Sequence, residues 1–100
     1  MAQINWTKQA LSDLEAIGDY IARDSPAIAQ LFVNRIINSV SRLESFPLSG
    51  RIVPESKRET IREVIFRNYR IVYSLEDDII YILTIFHASK LAINLIDDIN

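Results

Sequence analysis

Cysteine is absent from this chain, and histidine, tryptophan and methionine occur once each. Without thiols the protein has no disulfide, no thiolate nucleophile and no cysteine-ligated zinc. A lone imidazole is too little for a histidine metal cluster, so neither metal nor cofactor is expected. Glycine and proline are scarce, two and three residues. That leaves no flexible linker, and 1–100 reads as one domain. Long apolar runs are missing as well. Charges interrupt the chain every few positions, so nothing approaches the roughly 20 residues of a bilayer span. Met1–Trp6 shows no basic stretch leading into an apolar one, as a secretory leader would. The expected location is the cytoplasm.

What is present is enough apolar material for a core, 49% of the residues, in a chain long enough to hide roughly two-thirds of its surface. Net charge is −2 but unevenly spread. From Arg51 to Tyr73 stand six basic residues (Arg51, Lys57, Arg58, Arg62, Arg67, Arg70) against three acidic ones (Glu55, Glu59, Glu63), a balance of +3. The remainder holds five basic and ten acidic residues, a balance of −5. A basic middle on an acidic body suits an anionic partner. The same charges also read as an ordinary solvated surface.

Spacing predicts the elements. Ile4 and Trp6 alternate with Asn5 as a short edge strand. Thr7 then offers a helix N-cap, and Ala10, Leu11, Leu14, Ile17, Tyr20 and Ile21 form one apolar stripe to about Arg23. Gly18 interrupts that helix at a cost of up to about 1 kcal/mol relative to Ala, which close packing against another helix would offset. Ser25 and Pro26 give a second cap and first turn. Ala29, Phe32, Val33, Ile36, Ile37, Val40 and Leu43 carry the second helix to about Glu44, antiparallel to the first. Phe46–Glu55 reads as a loop from its prolines and glycine. Ile61–Arg67 reads as a strand, with a tight turn at Arg67-Asn68.

Two further strands follow, Tyr69–Leu75 and Ile79–Phe86, joined by the acidic turn Glu76-Asp77-Asp78. The second is apolar throughout, which suits burial on both faces. Arg70 lies in one and His87 ends the other, so the two are expected to be close. Leu91, Leu95, Ile96 and Ile99 predict a short amphipathic C-terminal helix. The order β-α-α-β-β-β-α defines an α+β domain. In it an N-terminal strand and an antiparallel helix hairpin pack on one face of a mainly antiparallel four-stranded sheet.

This layout, together with several short motifs, resembles the RelE/ParE superfamily of bacterial toxins from type II toxin–antitoxin modules. The motifs are Ile4-Asn5-Trp6-Thr7, Ala10, Asp13-Leu14, Tyr20-Ile21-Ala22, Ser25-Pro26, Pro47-Leu48-Ser49-Gly50-Arg51, Val53-Pro54-Glu55, Arg62-Glu63 and Tyr69-Arg70-Ile71-Val72-Tyr73. None is specific alone, but their order covers nearly the whole chain. The resemblance implies a cognate antitoxin that docks an acidic segment on the toxin and alone contacts operator DNA. It also implies one of two targets: DNA gyrase, bound and poisoned, or messenger RNA, cut on the ribosome.

For cutting, Arg70 stands where the family's nucleases keep a phosphate-stabilising arginine, and His87 near the place of a catalytic histidine, with Arg62 or Arg51 as supporting cations. Against cutting stand Ala88, where some nucleases carry a terminal tyrosine, a tail whose only basic residue is Lys90, and the net negative charge, unsuited to ribosomal RNA. The ParE-like, gyrase-directed branch is therefore the expectation. Arg51, Arg58, Arg62, Arg67 and Lys90 are its candidate contacts to target or antitoxin, and Arg51 is expected to fix its own loop through Glu55 or backbone carbonyls.

Overall fold

Both helix starts form as their capping residues dictate in the computed structural model, which describes residues 1–90. Thr7 Oγ1 accepts from the Ala10 N–H at 3.2 Å and opens α1 (Lys8–Ala22). Ser25 Oγ accepts from the Ile28 N–H at 3.2 Å and opens α2 (Pro26–Ser41), with proline in the first turn. A single 3-10 turn, Arg42–Glu44, prolongs α2. The glycine in α1 has the expected neighbour: a Cβ on Gly18 would lie 3.2 Å from Val33 Cγ2, so the two helices approach closely there.

The strands are β1 (Gln3–Trp6), β2 (Arg51–Ile52), β3 (Ile61–Phe66), β4 (Tyr69–Glu76) and β5 (Ile79–His87). They form one sheet in the order β1-β5-β4-β3-β2, with β1 parallel to β5 and every other pair antiparallel. The sheet thus has five strands, not the four expected. The additional one, β2, falls in the stretch read as loop, because two ladder residues leave no periodic signature. The expected C-terminal helix falls outside the described residues. No helix among those described is long and apolar enough to cross a membrane.

Helix side chains Ala10, Leu14, Ile17, Ile36 and Val40 bury against Ile71, Tyr73, Ile80, Ile82 and Ile85 of the sheet. A smaller cluster of Val53, Ile61, Val72 and Phe86, with Leu83 against it, occupies the opposite, helix-free face. β5 changes phase between these layers. Tyr73 pairs with Ile82 but Val72 pairs with Thr84, which leaves Leu83 as the extra residue of a β-bulge. β5 is therefore not buried on both faces along its length: Ile79, Tyr81 and Leu83 are half-buried.

Candidate functional site

The conspicuous polar feature is a buried carboxylate. Glu63 sits on β3 with its side chain fully hidden, a position a charge tolerates only when paired and hydrogen-bonded. Arg70 Nε donates to its Oε1 at 2.5 Å, and Arg51 Nε donates to its Oε2 at 2.7 Å. The cross-strand pairing of Arg51 with Glu63 sets up the second contact. The far end of Arg70 is taken by Glu55: Nη1 and Nη2 reach its two oxygens at 2.8 Å each. Those hydrogen bonds hold the Glu55 carboxyl below its ordinary range. They also push the Arg70 guanidinium up, so it stays charged. The Phe86 ring lies 5.3 Å from its Cζ.

Beside this network the segment entering β2 is held a second time. Tyr73 Oη donates to the Pro47 carbonyl at 2.8 Å and accepts from the Gly50 N–H at 3.1 Å. Burial pushes this phenol up. Gly50 is required by space: a Cβ there would come within 2.6 Å of Tyr73 Oη and 2.7 Å of the Glu63 carbonyl oxygen. Arg62 Nη1 donates to the Gly50 carbonyl at 2.7 Å. The carbonyl-binding part expected of Arg51 thus belongs to Arg62, while Arg51 pairs with Glu63 instead of Glu55.

Arg70 and His87 are ladder neighbours but do not converge. Arg70 pairs with Phe86, and Tyr69 pairs with His87; consecutive residues of a strand point to opposite faces. Arg70 therefore lies on the helix-free face, and His87 on the helix side, edge-on to the Tyr69 ring at 5.4 Å. The expectation of proximity holds for the backbone and fails for the side chains. His87 Nδ1 accepts from the Ser89 N–H at 3.1 Å and lies 2.7 Å from Ser89 Oγ.

The other candidate cations fall into two groups. Arg51, Arg62 and Arg67 follow the β2–β3 edge. Arg51 keeps 61% of its side chain exposed, and Arg67 forms the hairpin turn with φ 52° and its Cζ 5.7 Å from the Phe66 ring centroid. Arg58 and Lys90 border a groove of about 660 Å³, whose wall includes Ile61, Leu83 and Phe86; Arg58 reaches Glu76 at 3.4 Å.

Three carboxylates that organise the site stood in the sequence as members of the short motifs, and Glu55 as a partner for Arg51, but none was named as a site residue. Nothing in the sequence marked Glu63 as buried between two arginines. Asp13, from α1, accepts from the Thr84 hydroxyl at 2.6 Å and the Ile85 N–H at 3.0 Å through one oxygen. Its marks in sequence are the Asp13-Leu14 motif and its place on the flank of the apolar stripe, neither of which names its partners. No group of three or more potential metal ligands occurs among the described residues.

A helix hairpin on one face of a mainly antiparallel sheet agrees with the fold that the sequence resemblance implies, that of the small RelE/ParE toxins. Residues 4–92 match the family described as ParE toxin of type II toxin–antitoxin system, parDE. Toxin RelE2 of Caulobacter vibrioides is 38% identical over 91 residues, covering 91% of this chain and all of that one. A chain of the chromosomal ParDE system from P. aeruginosa superposes with a TM-score of 0.73 at 27% identity, over 87% of this chain and 96% of its own. The RelBE2 toxin–antitoxin complex of Mycobacterium tuberculosis shares the fold, with a TM-score of 0.54 at 23% identity over 86% and 96%. The chain belongs to the ParE toxin family and is a type II toxin of the RelE/ParE superfamily.

Proposed function

We propose that this toxin acts by binding its target, DNA gyrase, and not by cutting RNA. The observation that carries this reading is the state of Arg70. Its Nε and both terminal nitrogens already donate to carboxylates, so stabilising a phosphate would mean displacing Glu55 from two charge-assisted bonds. General acid–base cleavage also needs its groups around one reacting phosphate, whereas His87 leaves the sheet on the other face. Arg70 is then a structural cation, and the contacts to target or antitoxin fall to Arg51, Arg58, Arg62, Arg67 and Lys90.

A cognate antitoxin completes the module, by analogy with the ParDE and RelBE2 systems. An acidic segment suits the basic residues of the β2–β3 edge, and a helical one suits the exposed Leu11 and Ile37 on the helix pair.

Purified toxin tests the choice of target. Supercoiling by gyrase is expected to fall as toxin is added, while reporter messenger RNA in a translation extract stays intact. His87→Ala is expected to remain fully toxic. Ribosome-dependent cleavage that disappears in His87→Ala would overturn the proposal and favour RNA as substrate.

A further inference from the structure

The segment from Phe46 to Gly50 is fixed more firmly than an exposed connection requires. The Phe46 N–H donates to the Arg42 carbonyl at 3.1 Å, and the Ser49 N–H donates to the Phe46 carbonyl at 3.1 Å. Tyr73, itself fully buried, holds the Pro47 carbonyl and the Gly50 N–H through one hydroxyl. Arg62 Nη1 spans the Leu48 and Gly50 carbonyls at 3.4 and 2.7 Å. Each of the five residues is therefore tied through its main chain.

What this frame presents is apolar. Phe46 is 65% and Leu48 62% exposed, and among the described large apolar side chains only Met1 and Tyr20 are more so. Holding these two side chains largely in water gains little for folding, because little apolar surface is removed from solvent. It does prepay the ordering that a mobile binding loop loses on association. The surroundings are basic. Phe46 and Arg42 line one hollow of about 550 Å³, whose walls include Ser39, Ser49 and Ile65 and no carboxylate. α2 carries Arg35 and no acid, and Arg51 follows the segment directly; Glu44, the acid nearest in sequence, is half-buried.

We infer that Phe46 and Leu48 are the apolar anchors of the toxin on its target, entering a preformed apolar pocket with an acidic rim on that protein. This inference rests on the reading that the toxin acts by binding a folded protein. A nucleic-acid backbone offers acidity but no apolar pocket for two such side chains. An extended antitoxin segment adapts its own shape to the toxin and has no need of a fixed tip, whereas a folded partner of fixed shape rewards one. Side chains that become fully desolvated at the centre of an interface carry most of its binding energy. Arg42 and Arg51 then meet the acidic rim, which sets orientation and association rate.

The test compares supercoiling by gyrase, antitoxin binding and growth arrest across variants. Phe46→Ala is expected to raise the toxin concentration that halves supercoiling about 30-fold, and the double variant Phe46→Ala, Leu48→Ala to abolish inhibition. Both should keep the parent's circular dichroism spectrum and melting midpoint, and its affinity for the protein encoded by the neighbouring small reading frame. Tyr20→Ala, at an equally exposed position, should leave inhibition unchanged. Tyr73→Phe keeps both anchors but loosens their frame, and is expected to weaken inhibition about tenfold. Full inhibition by the double variant overturns the anchors and spares the gyrase reading. If the parent leaves gyrase untouched, the gyrase reading falls, and growth arrest in cells without antitoxin decides. Arrest lost in the double variant then keeps the anchors for another protein target, and arrest retained overturns them.

Discussion

Arg70 illustrates how a residue's neighbours decide its chemistry. Read alone, a mid-strand arginine near the only histidine suggests a phosphate site; seen with Glu55 and Glu63, it is the keystone of a closed ion network. Replacing it leaves the buried Glu63 with Arg51 as its remaining partner, so Arg70→Ala is expected to cost about 3–5 kcal/mol in a denaturant melt. Tyr73→Phe removes the partner of the Gly50 N–H and of the Pro47 carbonyl, and about 1–3 kcal/mol should go with it.

The same network sets an acid limit. The folded-state pKa of Glu55 lies below its ordinary value of 4.5, so the unfolded chain binds that proton more readily. Its contribution to stability is complete above the ordinary value and is lost as pH falls through the depressed one. Unfolding monitored against pH should therefore be less steep below about 4.5 in Glu55→Gln than in the parent.

At the scale of elements, the sequence was a good guide wherever periodicity or capping left a signature. Thr7 and Ser25 placed both helix starts, and the turn at Arg67-Asn68 placed the β3–β4 hairpin. β2 was invisible because two residues have no period. The bulge was invisible because Ile82, Leu83, Ile85 and Phe86 are all apolar, so no alternation records which face each one takes. The partners of Glu63 and Asp13 were illegible for another reason: they are set by contacts between residues far apart in the chain, about which local spacing is silent. Asp13 closes part of the β5 edge that β1 does not cover. Asp13→Ala leaves the Ile85 N–H and the Thr84 hydroxyl without this acceptor, and a loss of about 1–3 kcal/mol is expected on thermal melting.

Seen whole, the molecule keeps two surfaces apart. The helix pair covers one face of the sheet, while the other carries the ion network, the smaller apolar cluster and the groove bordered by Arg58 and Lys90. A segmented partner can engage several of these surfaces at once, and its binding should stabilise the folded toxin. At an antitoxin concentration near 100 times Kd the gain is about 2.7 kcal/mol, visible as a higher melting midpoint for the complex than for the toxin alone.

The bulge at Leu83 acts like a clutch between the two halves of β5. If the pairing before it ran on unbroken, every residue from Thr84 onward would change faces, and His87 would come round to the side of Arg70. Packing opposes that exchange too, since the bulkier Phe86 would replace Ile85 in the helix-side layer and Thr84 would enter it. Asp13 is the detent: its grip on Thr84 and Ile85 holds the strand in the phase that keeps imidazole and guanidinium back to back. A single register step, with no change of side chains, thus separates this arrangement from one in which the two groups share a face.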